Sequence, residues 1–168
     1  MVPALRNSVP VGPLQPFADW PVQLAIPAGY MWFTEPAVFV TQAHVEHTTF
    51  EDVAAMSMRI DAVLRLRKAE IVKHGGLLIV HDWRKLKSWD DDARQHLIER
   101  SIRRARGEVR GIIIAISVNP LFRLMAQVAN VTLTALGVSR VQLVETLESS
   151  LEKYGVKKPP YARFPDDV

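Results

Sequence analysis

The sequence predicts a single α/β domain in which helices cover a buried sheet. Short apolar runs of strand length alternate with amphipathic segments of helix length, in the order ββαβαβαβα. Two of the runs, residues 77–80 and 109–117, are continuous and apolar, which is typical of strands buried on both faces. The length of 168 residues fits one domain of ordinary size.

The prolines mark the limits of the folded unit. Six of the 11 prolines lie in the first 27 residues, and Pro120 is the only one between residues 37 and 158. Proline fixes φ and lacks a backbone donor, so helices and inner strands avoid it. The chain therefore divides into a proline-rich extended arm (1–28), a domain (29–156) and a flexible tail (157–168). The arm is apolar and nearly uncharged, so it either packs across the domain or docks on another protein.

The composition excludes several classes of function. The chain has no cysteine, which rules out disulfides, Cys-ligated zinc and a thiolate nucleophile. The net charge of +3 is mild, and no DNA partner is expected. Neither a secretory signal nor a transmembrane run is visible, so we expect a soluble, cytoplasmic protein. Phosphate-binding and nucleophile-elbow motifs are lacking too, and we expect no cofactor, no metal and no enzyme activity.

The first half of the domain predicts a hairpin followed by a long helix. Residues 30–34 and 37–44 form the two strands. Thr48 and Glu51 have the spacing of a capping box, and apolar positions then recur at helical spacing up to Gly75-Gly76. Such a helix, at residues 48–74, is long enough to extend beyond the domain and pair with a second copy of the chain.

The second half repeats a strand-helix pattern. The strand at 77–80 ends at His81-Asp82, and a basic connector at 83–89 leads to an acidic helix start. A lone His-Asp pair is a weak metal or acid–base site, and we expect Asp82 instead to pair with Arg84 or a neighbouring helix. After the strand at 109–117, Asn119 caps a helix at 121–136. A strand at 140–144 and a helix at 145–154 follow.

Two surfaces leave alternatives open. Of the 21 lysines and arginines, 14 lie between Arg59 and Arg110, either as scattered solvated charge or as a surface for an anionic partner or lipid. The helix at 121–136 carries one charge, Arg123. It is either a core helix or the wall of an apolar pocket, whose candidate residues are Leu121, Leu124, Met125 and Val128.

Residues 77–94 and 112–127 resemble the STAS superfamily, and in particular its SpoIIAA-like (STAS/SEC14-type) branch. The positions that match the pattern are Asp82, Leu86, Ala93, Arg94, Asn119, Pro120, Leu121 and Arg123. The resemblance covers residues 30–155. It implies a mixed sheet of four to five strands with helices mainly on one face, and no enzyme activity.

The resemblance also implies a regulatory role through contact with another protein, in signalling or sigma-factor regulation. Classical members are switched by phosphorylation of a Ser or Thr at the start of the helix that follows the central strand. Asp91 stands at that position here, so the switch is absent. The implied partner surface consists of Asp90, Asp91 and Asp92, with Ser88 and Arg84 nearby. Similarity to SEC14-type carriers implies the alternative, a carrier or sensor of a lipid or other small apolar ligand.

Overall fold

A computed structural model describes residues 22–26, 28–34, 37–104, 107–116, 119–137, 141–146 and 152–154. These residues form one mixed sheet of six strands, a small sheet of two strands, and helices that pack on the large sheet. Within them, no helix combines the length and apolarity that crossing a membrane requires. The elements in chain order are β1 (Val22–Ile26), β2 (Gly29–Thr34), β3 (Val38–Ala43), β4 (His47–Thr48), α1 (Phe50–Leu66), α2 (Lys68–Lys73), β5 (Leu77–Trp83), β6 (Ser88–Trp89), α3 (Asp91–Arg104), β7 (Val109–Ile116), α4 (Pro120–Ala135) and β8 (Val141–Val144).

The large sheet has the strand order β1-β2-β3-β5-β7-β8. Strands β1, β2 and β3 form an antiparallel meander, while β3, β5, β7 and β8 run parallel to one another. The predicted α/β class, the hairpin and the mixed sheet are thus confirmed. Because the central strands are parallel, their carboxyl ends meet at one edge of the sheet, where α/β proteins commonly place their sites.

The sheet has one strand more than the four to five expected. The additional strand, β1, pairs with β2 along its whole length, from Val22 opposite Phe33 to Ile26 opposite Gly29. It lies in the segment assigned to the arm, so the last part of that segment belongs to the sheet. Residues 1–21 and the tail lie outside the described residues, as do residues 147–151 of the predicted helix at 145–154.

Side-chain alternation along β5 divides the core between the two faces of the sheet. All seven residues of β5 are buried. Leu77, Ile79 and Trp83 face α1, α3 and α4, whereas Leu78 and Val80 face the opposite side. The helix-covered cluster is the larger one, and its helical members include Val53, Met56, Ile60, Val63, Ala93, Leu97, Phe122, Ala126 and Ala129. The opposite cluster comprises Val38, Val40, Leu78, Val80 and Ile113, with Val144 and Tyr154 packed against it.

Helix α1 begins one residue later than the capping pattern predicted. Thr49 is the N-cap, and Asp52 completes the box, with the Thr49 N–H donating to Asp52 Oδ2 at 3.0 Å. The prediction of Thr48 and Glu51 was wrong because Thr48 belongs to β4, where it pairs with Trp89. Thr49, the next residue, takes the N-cap position with an extended backbone (φ −100°, ψ 170°), as is usual for N-caps.

The predicted single helix at 48–74 consists of two helices. Arg67 separates α1 from α2 with φ −110° and ψ 22°, and its guanidinium lies 5.3 Å from the centre of the Phe33 ring. Hydrophobic contacts on both sides of this break, at Val63 and Ile71, keep the two helices on the sheet. The chain therefore does not present the long continuous helix from which self-pairing was inferred.

Gly75 and Gly76 end α2, as the sequence predicts. The Gly75 N–H donates to Val72 O (3.0 Å) and the Gly76 N–H donates to Ile71 O (2.9 Å), which is the Schellman arrangement. Both glycines have positive φ, at 73° and 116° respectively. A Cβ on Gly75 would meet open space, whereas a Cβ on Gly76 would lie 2.8 Å from the backbone nitrogen of Arg110.

We predict that Gly76→Ala destabilises the fold more than Gly75→Ala does. Each alanine has to adopt positive φ, which costs about 1–2 kcal/mol. Gly76→Ala should lose on the order of 1–3 kcal/mol more, because its Cβ overpacks against the backbone of β7. Urea unfolding of the two variants measures the difference directly. Equal losses would show that β7 does not confine this turn.

Candidate functional site

The start of α3 is attached to β4 by a chain of three side chains. Pairing of β4 with β6 places His47 opposite Ser88. The Ser88 Oγ lies 2.8 Å from His47 Nδ1, and His47 Nε2 lies 2.9 Å from Asp90 Oδ1. The imidazole thus connects the last residue before α3 to the strand that precedes α1.

Backbone hydrogen bonds hold the same segment in place. The N–H groups of Lys87 and Ser88 both donate to Glu46 O, at 2.7 and 3.1 Å. The Asp90 N–H donates to Thr48 O at 3.2 Å, and Lys87 Nζ pairs with the Glu46 carboxylate at 2.5 Å. Main-chain hydrogen bonds on both sides of His47 therefore hold residues 87–90, which precede α3, independently of the exposed side chains.

Carboxylates from α3 project from this fixed segment into solvent. The Asp91 side chain is 87% exposed and pairs with Arg94 at 3.0 Å, and Asp92 is also exposed. Negative charge here is favourable because the first turn of a helix carries the positive end of its dipole. The structure thus brings together four of the five residues proposed for the partner surface, namely Ser88, Asp90, Asp91 and Asp92.

Sequence reasoning missed His47, which joins Ser88 to Asp90. The residue lies 41 positions before Ser88, and the contact depends on the pairing of two strands of only two residues each. Such short strands leave no periodic pattern in the sequence. We name the exposed set His47, Ser88, Asp90, Asp91 and Asp92 the α3-start surface.

Arg84, the fifth residue proposed for the partner surface, pairs with a buried carboxylate. Its Nε and Nη2 lie 2.8 Å from Oδ1 and Oδ2 of Asp82, a two-point ion pair. Asp82 is only 4% exposed, and it also lies 3.4 Å from Gln42 Nε2. The expected pairing of Asp82 with Arg84 is therefore confirmed, and it places Arg84 at the carboxyl end of β5 as the counter-charge of Asp82.

His81 and Asp82 do not form an acid–base pair, because neighbouring residues of a strand point to opposite faces. His81 faces the helices, where its Nδ1 lies 2.7 Å from Thr41 Oγ1 and its ring stacks on Trp83 at 4.5 Å. Burial, with a smaller effect from the positive charge of Arg104, lowers the pKa of His81 from 6.5 to about 3. His81 is thus a neutral core residue at physiological pH. Among the described residues, no group of three His, Cys, Asp or Glu side chains could hold a metal.

Several of the 14 arginines and lysines of the basic segment are paired with carboxylates, namely Arg67, Arg84, Lys87, Arg94, Arg100 and Arg104. Arg104, 5% exposed, binds Asp61 at 2.7 Å and Ser57 O at 2.8 Å, and so joins α3 to α1. Arg100 also lies 3.4 Å from Asp61. Because these cations are already paired with carboxylates of the same chain, we interpret the basic segment as scattered charge and not as a continuous anion-binding surface.

A cavity of about 30 Å³ lies beneath the start of α1, at the carboxyl ends of β3 and β5. It is lined by apolar and small polar side chains that include Thr41, Met56, Trp83, Leu86 and Trp89. A volume of this size holds about two water molecules and no lipid chain.

The four residues proposed as a pocket wall do not line this cavity. Leu121, Leu124 and Val128 lie on the outer face of α4, with 65%, 56% and 55% of each residue exposed. Met125 is partly buried and packs against the helix-covered cluster. The inner face of α4, with Phe122, Ala126, Ala129 and Leu133, is buried.

The chain Ser88–His47–Asp90 has the order of groups found in serine hydrolases. Catalysis by such a chain requires a site from which water is excluded. It also requires hydrogen-bond donors that are already in place to stabilise the negative charge that develops on the substrate in the transition state. Here the side chains of His47 and Asp90 are 50% and 46% exposed. Solvent therefore screens their interaction, and we interpret the chain as a structural connection between β4 and α3.

Burial of neutral His81 predicts a specific pH dependence of stability. Between pH 6.5 and about 3 the unfolded chain binds a proton at this residue that the folded chain does not. Stability should therefore fall as the pH falls through this window, by up to about 1.4 kcal/mol per pH unit. Urea unfolding at several pH values should show a steeper slope for the wild type than for His81→Gln.

Thr41→Val is the matched control for this prediction. It removes the hydroxyl that contacts the imidazole but leaves His81 buried, so the steep slope should persist. Equal slopes for the wild type and His81→Gln would contradict a neutral buried imidazole.

Comparison with known proteins gives one informative match. No protein-family model matches the chain, and neither does any curated protein. The structure is similar to that of an uncharacterised protein of the DUF3478 family from Shewanella loihica PV-4, which has a SpoIIAA-like fold. The two share 14% sequence identity over 80% of this chain and 91% of the other, with a TM-score of 0.50. The chain therefore has a SpoIIAA-like fold.

Proposed function

We propose that the protein is a non-catalytic regulatory module that binds another protein through its α3-start surface. The observation that carries the proposal is the exposed set of carboxylates held on fixed backbone at the start of α3. Asp91 is 87% exposed, and the segment before it is bonded to β4 through Glu46 and Thr48. Charged groups on rigid backbone are suited to recognition, because little entropy is lost when they bind.

The chemistry of the surface defines the partner. Three consecutive carboxylates at Asp90, Asp91 and Asp92 are complementary to a surface with lysine or arginine side chains. The positive end of the α3 helix dipole favours the position of these carboxylates at the helix start. The proposed partner is thus a protein with a basic recognition patch, and its binding should weaken as salt concentration rises.

The proposed module works without a phosphorylation switch at the start of α3. A phosphoserine introduces about −1.5 to −2 charges when the group is added and removes them when it is hydrolysed. Asp91 carries a permanent charge and cannot alternate in this way. Binding at this surface is therefore regulated by the supply or state of the partner.

The alternative, a carrier of a lipid or other apolar ligand, has less support. The cavity at the carboxyl ends of β3 and β5 has a volume of about 30 Å³, which is too small for an acyl chain. The residues proposed as a pocket wall are solvent-exposed on α4. We therefore argue the protein-binding role alone.

Charge reversal at Asp91 tests the proposal. Wild-type protein, Asp91→Lys and Glu99→Lys serve as baits in a native lysate, and the captured proteins are identified and quantified. Glu99 is exposed on the same helix, so its reversal changes the net charge equally while leaving the helix start intact. A specific partner should lose at least about tenfold in affinity for Asp91→Lys, because like charges then face each other.

The Glu99→Lys bait should retain the same partner. Thermal unfolding of both variants confirms that they remain folded. If every specific partner binds Asp91→Lys as well as the wild type, the α3-start surface is not the binding site.

A further inference from the structure

Helix α4 has two apolar faces, of which one is buried among the described residues and the other is exposed. Phe122, Ala126, Ala129 and Leu133 face the core. A second apolar row consists of Leu121, Leu124, Val128, Val131 and Ala135, all of them exposed, and we name it the outer row. At 100° per residue, the mean directions of the two rows differ by about 150°, so they lie on nearly opposite sides of the helix.

The outer row has the spacing of a helix-pairing surface. Its members alternate by three and four residues over two heptads, which corresponds to positions a, d, a, d and a. The four Leu and Val residues of the row are each at least 55% exposed. A continuous exposed apolar row of this kind marks an interaction surface on a soluble domain.

The charge distribution on α4 indicates which kind of molecule binds the outer row. Arg123 is the only charged residue between 120 and 137, and it is bound to Glu145 at 2.7 Å, away from the outer row. Helices that lie on membranes carry lysines and arginines beside their apolar face, and α4 lacks them. A charged partner would find no complementary group, whereas a second, equally uncharged copy meets no repulsion.

The ends of α4 favour an antiparallel arrangement. The first turn of α4 has no acidic residue and the last turn has no basic residue, so neither end turn carries a side-chain charge of the sign that compensates the helix dipole. In an antiparallel pair, the positive end of each helix lies beside the negative end of the other. This pairing also has the two-fold symmetry that is most common in homodimers.

From this geometry we propose that the protein forms a homodimer through the outer rows of two antiparallel α4 helices. Val128 is the middle residue of the row, with seven residues to either end at 121 and 135. The two-fold axis therefore passes close to Val128, which contacts its own copy. This interface is separate from the α3-start surface, so each proposal can fail without the other.

Sedimentation equilibrium of the full chain tests the dimer. The wild type should be dimeric at micromolar to sub-millimolar concentration. Val128→Lys places two like charges at the axis and should raise the dimer dissociation constant at least about tenfold. Val72→Lys is the matched control, because Val72 is 65% exposed on α2 and outside the outer row, and it should leave the dimer intact.

Cysteine cross-linking tests the axis. The natural chain contains no cysteine, so each variant carries a single thiol. Val128→Cys should form a disulfide-linked dimer on oxidation, whereas Val72→Cys should not. Leu121→Cys should also remain unlinked, because in an antiparallel pair the two copies of residue 121 are about 21 Å apart along the helix axis.

Four results would overturn the proposal. A monomeric wild type, or a dimer unaffected by Val128→Lys, would exclude the outer row as a dimer interface. Binding of monomeric protein to phosphatidylcholine vesicles that Val128→Lys abolishes would assign the row to a membrane. Efficient linking at both 121 and 128 would show a parallel pair and reject the antiparallel arrangement.

Discussion

Burial of β5 on both of its faces is the constraint on which the rest of the structure depends. All seven residues from Leu77 to Trp83 are buried, so the strand needs neighbours at its two edges and cover on its two faces. Strands β3 and β7 lie on either side of β5 and run parallel to it. Between two parallel strands the chain has to cross back over the sheet, and here it does so through helices. The helices α1, α3 and α4 then form the layer that buries Ile79 and Trp83. The parallel arrangement also gathers the strand ends, the cavity and the start of α3 at one edge of the sheet.

The same alternation decides which polar residues are available for function. His81 is directed into the helix-covered core, and its lowered pKa keeps it neutral there, while Asp82 is directed to the other face and is neutralised by Arg84. Neither group is free to act on a ligand. The exposed carboxylates of the α3-start surface lie at the same edge of the sheet, on a segment that is held by backbone hydrogen bonds to Glu46 and Thr48. The alternation of side chains along β5 thus directs His81 and Asp82 to different faces of the sheet, and neither is among the exposed polar groups of this edge.

The sequence was sufficient for most of the elements, because each has a local signal. The continuous apolar runs gave β5 and β7, Asn119-Pro120 gave the start of α4, and Gly75-Gly76 gave the end of α2. Contacts between distant segments were not predictable in this way. Strand β4 has two residues and pairs with β6 across 40 positions, which shifted the cap of α1 to Thr49 and brought His47 to Ser88. The low polarity of α4 was visible, but whether its second face is buried depends on what covers it, and the structure leaves that face exposed.

Hydrogen–deuterium exchange of the complex tests the central claim, that the start of α3 is the functional surface. The measurement compares the free protein with its complex with a partner that the wild type retains and Asp91→Lys loses. We predict added protection in peptides that cover residues 86–95, and no change in peptides from α4. Protection confined to other parts of the chain, with residues 86–95 exchanging as in the free protein, would contradict it, because Asp91 would then act on binding without lying in the interface.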